Sequence, residues 1–115
     1  MSTRSGRLPA VVYAPTALEE LDDIWDWNER THSREHAVGY IEFLTKNIDG
    51  LKRRYAQGNP VGARPDLRYI LIRRKARGHG HVAVYRFNDA TVDVLHVFHT
   101  AQDWQTKLIE KHSND

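Results

Sequence analysis

The side chains that could do chemistry in this chain are histidines, arginines and carboxylates, because it has no cysteine. Thiolate nucleophiles, thiolate-bound zinc or iron–sulfur centres and disulfide frameworks are thereby excluded. His99 is a candidate acid or base, since imidazole titrates near 6.5. Arg68 and Arg86 are candidate cations for a phosphate, and Arg53 and Arg54 could hold others. Tyr69 or Trp104 could stack on a nucleobase. These are the parts that metal-free RNA cleavage requires: a group to take the 2′-hydroxyl proton, cations around the phosphate, and an acid for the leaving oxygen. Each part also has a plainer role. Arg68 and Arg86 could pair with Asp66, Asp93 or a carboxylate of the first helix. An exposed pair of that kind contributes only about 0–1 kcal/mol.

Two histidine pairs resemble metal ligands in spacing, His79 with His81 and His96 with His99. The first pair flanks a glycine-rich turn and has no clear third ligand, so no metal site and no cofactor are expected. Gly78-His79-Gly80 lacks the strand-to-helix setting of a phosphate loop and reads as a hairpin connection.

The net charge is only +2, but it is unevenly placed. Glu19, Glu20, Asp22, Asp23, Asp26, Glu29 and Glu35 crowd one stretch, against Arg30 and Arg34. Lys46, Lys52, Arg53, Arg54, Arg64, Arg68, Arg73, Arg74, Lys75, Arg77 and Arg86 then follow, opposed by Asp49 and Asp66. A basic field of this kind attracts nucleic acid or an acidic protein segment, or it merely keeps the surface solvated.

The elements that must position these groups can be read from spacing. At 115 residues the chain holds one small domain. Residues 1–9 read as a flexible arm. Residues 10–13 read as a first strand at a sheet edge, stopped by Pro15. Thr16, with Glu19 three residues on, predicts a capping box for a helix over 17–30. Leu18, Leu21, Ile24, Trp25 and Asn28 form its inner face, with Trp27 at the stripe edge. Ser33 is the expected cap of a second helix, along which Ala37, Tyr40, Ile41, Leu44, Ile48 and Leu51 line up. The very short link makes the two an antiparallel hairpin. Residues 57–65 are rich in glycine and proline and read as a loop. Strands are expected over 68–74, 81–87 and 91–98, joined as an antiparallel meander. Both faces of this meander are partly apolar, so helices are expected on one side and a ligand or partner on the other. Residues 105–115 are a tail or short helix. The expected class is α+β, an N-terminal antiparallel helix hairpin packed on a small, mainly antiparallel sheet.

This order of elements resembles the ParE/RelE toxin superfamily over residues 11–104. Val12-Tyr13-Ala14-Pro15-Thr16-Ala17 is similar to the family's first strand and helix entry. Leu21-Asp22-Asp23-Ile24-Trp25-Asp26-Trp27 resembles the first-helix signature of ParE. Asn59-Pro60-Val61-Gly62 followed by Asp66-Leu67-Arg68 resembles the loop into the central strand. Val82-Ala83-Val84-Tyr85-Arg86, and then Val94-Leu95-His96-Val97-Phe98-His99 with Asp103, are similar to the last two strands and the polar tail.

The resemblance implies a single toxin domain at 10–104 in a cytoplasmic bacterial protein, neutralised by a cognate antitoxin encoded beside it. ParE-like members poison DNA gyrase; RelE-like members cleave messenger RNA on the ribosome. Under the family layout Arg68, Arg86 and His99 come from neighbouring strand positions and would be the catalytic set of a ribosome-dependent endoribonuclease. The tail His99-Thr100-Ala101-Gln102-Asp103-Trp104, however, lacks the arginine and terminal tyrosine usual in that branch. The ParE-like reading needs no catalytic residue. It needs a partner surface, for which Trp25, Trp27, Arg53, Arg54, Tyr69, Tyr85 and Trp104 are the candidates. The resemblance also leaves room for a non-toxic antitoxin-binding module. No membrane partner is expected, because no apolar run is long enough to span a bilayer.

Overall fold

The computed structural model describes residues 7–62, 64–75 and 78–112. Most of the arm expected at 1–9 therefore lies outside the described residues, as does Arg77 of the basic stretch. The strands are β1 (Ala10–Tyr13), β2 (Asn59–Val61), β3 (Arg64–Ile72), β4 (His81–Asn88) and β5 (Thr91–His99). The helices are α1 (Pro15–Thr31), α2 (Arg34–Asp49), α3 (Leu51–Arg54) and α4 (Trp104–His112), with a 3-10 turn at Tyr55–Gln57. The sheet order is β1-β5-β4-β3-β2. β1 runs parallel to β5, and every other pair is antiparallel. This is the expected α+β architecture, with β1 at the edge where Pro9 and Pro15 confine it.

The start of α1 corrects the expected cap. The N-cap is Ala14, without a side-chain bond, and Pro15 opens the helix. Proline suits the first turn because its φ is already helical and it has no N–H to leave unbonded. Ala17, Leu21 and Asn28 turn inward, whereas Leu18, expected on the inner face, is 51% exposed. Buried Asn28 satisfies its amide by donating to the Ile24 carbonyl at 2.7 Å. Ser33 caps α2 as its type predicts, its hydroxyl accepting from the His36 N–H at 3.0 Å. The α2 stripe then buries Ala37, Leu44 and Ile48, and Leu51 continues it past Gly50 into α3.

The loop expected over 57–65 contains a short strand. β2 pairs with β3 through Asn59↔Tyr69 and Pro60↔Arg68. Pro60 fits there because an edge strand leaves its missing N–H without consequence. β3 accordingly begins at Arg64 and ends at Ile72, earlier at both ends than its apolar run suggests. The tight turn after β4 puts Asp89 at φ 54, a left-handed position that Asp tolerates better than most residues.

Strand alternation splits the core in two. Ile72, Ala83, Tyr85, Val92, Val94 and Val97 face the helix hairpin and meet Ala17, Leu21, Leu44, Ile48 and Leu51. Val61, Leu67, Val82, Val84 and Phe98 face the other way and are covered by Leu108 of α4. The second face, expected to await a ligand or partner, is thus partly sealed by the chain's own C-terminal helix. Trp104 anchors that helix, its ring meeting Tyr69 edge-on at 4.8 Å and lying 6.3 Å from Phe98.

Leu108 is fully buried, and it is the side chain that fixes a helix of only nine residues. Leu108→Ala is expected to lower stability by roughly 2–5 kcal/mol. Hydrogen exchange should show the α4 amides losing protection first. Unchanged exchange in α4 would mean that the helix is held by something else.

Candidate partner-binding groove

The groove originates in the shortness of β1. Its pairing with β5 ends at Tyr13↔Val94, and Ala14 adds one N–H bond to the Val94 carbonyl at 2.9 Å. Beyond that point no strand among the described residues lies beside the outer edge of β5. Glu20 of α1 fills part of the gap. Its carboxylate accepts the Val97 N–H at 2.8 Å and lies 3.3 Å from His96 Nδ1. Between α1 and this open stretch lies a groove of about 770 Å³. Glu19, Glu20, Asp23 and Trp27 form the helical wall; His79, His81, Phe98 and His99 form the sheet wall; Tyr40 closes it from α2. Trp27 is 54% exposed on the rim, a large apolar area left open to solvent.

Two of the histidines, His81 and His99, are held below the ordinary imidazole value. His81 is buried and its Nδ1 meets the Tyr40 hydroxyl at 2.6 Å. Burial first, and the neighbouring His99 second, push its pKa down to about 4. The Tyr40 phenol is pushed up by burial, against an opposing effect of Arg74. It therefore stays protonated and can donate to His81. His99 is also lowered, by desolvation and then by His79, whose ring lies 5.4 Å away. Its Nδ1 accepts the Ala101 N–H at 3.0 Å, so the neutral ring carries its proton on Nε2. In that state His99 is a donor with its one lone pair engaged. Neither a free base nor a ready acid is presented at neutral pH.

The cations expected beside His99 lie elsewhere. Arg86 stands opposite Asp93, while His99 stands opposite His81, five residues back along β4. That spacing corresponds to about 16 Å. Arg68 pairs with Tyr85 across the β3–β4 ladder, which puts Arg68 and Arg86 on opposite faces of the sheet. The Arg68 guanidinium donates to the Gly58 carbonyl at 2.7 Å. Arg53 and Arg54 are exposed at the end of α3. The structure thus groups Arg54 and Arg68 around Tyr85, far from the imidazoles.

The aromatic candidates separate as well. Trp27 borders the groove, Trp25 is half-buried in α1, and Tyr69 packs with Trp104 on the back of the sheet. Tyr85, expected at a partner surface, is fully buried, and its hydroxyl donates to the Tyr55 carbonyl at 2.6 Å. Its strand position faces the helices, and its length takes it through the core to that carbonyl. Glu20 and Tyr40 were not singled out from the sequence, and His81 only as half of a metal-like pair with His79. Glu20 reads there as one more solvated acid, and Tyr40 as one more core position. Among the described residues no three His, Asp or Glu side chains converge as metal ligands, and no helix is long and apolar enough to cross a membrane.

Residues 11–104 match the family model described as ParE toxin of type II toxin-antitoxin system, parDE. A solved structure titled "Chromosomal ParDE TA system from P. aeruginosa" contains a similar chain, with a TM-score of 0.68 and 17% identity. The likeness covers 79% of this chain and 95% of that one, and at such identity it speaks for the fold. No curated protein matches the chain.

Burial of His81 links stability to pH. Between about pH 4 and 6.5 the unfolded chain binds more protons at this site than the folded one, so stability falls as pH drops through that window. Between neutral pH and about 4.5 the loss from this group should be roughly 2–3 kcal/mol. Urea denaturation of the wild type and of His81→Gln, which keeps a partner for Tyr40, isolates it. Equal losses in the two proteins would exclude His81 as the source.

Proposed function

The chain belongs to the ParE toxin family of type II toxin–antitoxin systems, and from that premise we propose that it is the toxin of such a pair, that it acts by inhibiting DNA gyrase, and that a cognate antitoxin neutralises it by filling the groove beside α1. The observation that carries this reading is the groove itself. A large exposed tryptophan on the rim of a concave site is the kind of residue that dominates a protein interface. The rim also bears Glu19 and Asp23, both exposed, so the occupant must bring cations or leave those carboxylates hydrated. A gyrase inhibitor requires no acid–base pair, which agrees with His81 and His99 being lowered and tied to Tyr40 and the Ala101 N–H. The exposed cations Arg53, Arg54 and Arg68, remote from the groove, are the remaining candidate contacts for the target.

The endoribonuclease reading has less support. It asks His99 to exchange protons near a phosphate held by Arg68 and Arg86, and about 16 Å of strand lies between them. The groove around His99 is also lined by carboxylates, which repel a phosphodiester.

Induction without the neighbouring antitoxin gene should arrest growth, and purified protein should inhibit supercoiling by gyrase or trap cleaved DNA. Messenger RNA should remain intact during the arrest. Trp27→Ala is expected to weaken antitoxin binding by about 2 kcal/mol, roughly thirty-fold, measured by calorimetry. Codon-position cuts that vanish in His99→Ala, with supercoiling unaffected at excess toxin, would replace this function with RNA cleavage. Antitoxin affinity unaffected by Trp27→Ala would move the docking site away from the groove.

A further inference from the structure

Between Asp66 and Asp89 the chain carries no carboxylate at all. The connection from β3 to β4 begins with Arg73, Arg74 and Lys75, all exposed. Among the described residues none of the three makes an ion pair, whereas Lys52 and Arg64 are paired with Asp49 and Asp66. Arg74 is fixed in place. Its guanidinium carbon lies 5.5 Å from the centre of the Tyr40 ring and 5.3 Å from that of Phe43. The loop is thereby brought against the middle of α2, one turn past His36, which stacks at 4.2 Å on His32 of the α1–α2 link. Desolvation first, and then the neighbouring His32 ring and the Arg74 cation, hold the His36 imidazole below the usual value.

We propose that this loop, Arg73, Arg74 and Lys75 together with the His32–His36 stack, is a contact surface for the phosphate backbone of duplex DNA. Three observations select that partner. The loop cations stand without carboxylates, so they can replace the counterions of a phosphate backbone. A protein partner would need apolar anchors at the centre of the patch, and the loop itself exposes guanidinium and ammonium groups, with exposed Leu71 and Trp27 at its margins. A single strand would need a run of open aromatic faces on which bases stack, but Arg74 lies over Tyr40 and Phe43, the two imidazoles stack on each other, and exposed Trp27, 6.2 Å from His32, belongs to the groove rim. What is left is sequence-independent contact to a charged backbone. The surface does not depend on the gyrase reading, and the protein alone suffices to test it.

The test is fluorescence anisotropy of a labelled short DNA duplex with purified protein, from about 50 to 200 mM salt. Binding should weaken steeply with salt. Arg73→Gln with Lys75→Gln should weaken binding at the low-salt end at least about ten-fold and flatten the log–log salt slope by about 1.8. That pair leaves Arg74 on Tyr40 and Phe43, so folding, followed by circular dichroism, should be unaffected. Arg53→Gln with Arg54→Gln, on α3, should change binding less than about two-fold if the surface is local rather than a matter of total charge. Absence of binding at low salt, equal weakening by the two double variants, or tighter binding of polyglutamate or single-stranded DNA would each overturn the proposal.

Discussion

Beyond Val94 no strand among the described residues lies beside the outer edge of β5, and the N–H of Val97 faces that edge. A buried N–H left without an acceptor costs on the order of 1–3 kcal/mol, so the fold must supply one. It uses the carboxylate of Glu20, one turn into the helix that follows β1. The two facts have one cause. Pro15 stops the strand after four residues and starts the helix at the same point, which leaves the edge open and carries Glu20 alongside it. A longer β1 would close the edge and remove the groove. A helix starting two residues later would place a different side chain opposite Val97. The anchoring of α1 to the sheet, the exposure of Trp27 and the acidic rim all follow from this junction.

The same geometry explains why charge and function divide along the molecule. α1 must present its carboxylates outward or to the open strand edge, because its inner face is filled by Ala17, Leu21 and Asn28. The cations come from the end of the helical part, where Lys46, Lys52, Arg53 and Arg54 lie on α2 and α3, and from the sheet and its loops, where Ile72, Ala83 and Tyr85 take the inward positions and leave outward positions or turns to Arg73, Arg74 and Arg86. Segregation of charge is therefore a by-product of which elements supply the core. Its consequence is a molecule whose possible partners must differ in kind, one seated in an acidic, aromatic groove and others meeting a basic surface.

The architecture was legible because it rests on periodicity. The helix stripes, the strand alternation and the edge position of β1 are properties of residue type at fixed spacing, and burial of Leu21, Leu44, Ile48 and Val84 follows them. What spacing could not supply was frame and register. Leu18 is exposed because the buried stripe of α1 runs through Ala17, Leu21 and Asn28, a choice made by packing against the sheet and α2. β2 is invisible because three residues around a proline carry no pattern until β3 pairs with them. The candidate site suffered most from register. Arg68, Arg86 and His99 are all strand residues, but the β4–β5 ladder puts His99 opposite His81 and Arg86 opposite Asp93. Conversely, Tyr40, His81 and Glu20 gain their roles only from partners 41 and 77 residues away in the chain, as the Tyr40–His81 and Glu20–Val97 bonds show.

Tyr40 shows how the acidic groove and the basic loop coexist although they adjoin. One face of its ring is met by the Arg74 guanidinium, and its hydroxyl meets His81 on the groove side. Burial keeps the phenol protonated even though Arg74 favours the phenolate. A protonated phenol donates to Nδ1 of His81, and an imidazole that accepts there carries its own proton on Nε2 and stays neutral. The cation is thus held on the outer side of an aromatic ring, while the inner side receives a hydrogen bond and no charge. Were His81 protonated, the groove would gain a positive charge beside His99 and the phenol bond would reverse, the imidazolium donating to the Tyr40 oxygen. The boundary between the two surfaces is one side chain wide, and it depends on the aromatic ring to hold Arg74 as much as on the hydroxyl to hold His81.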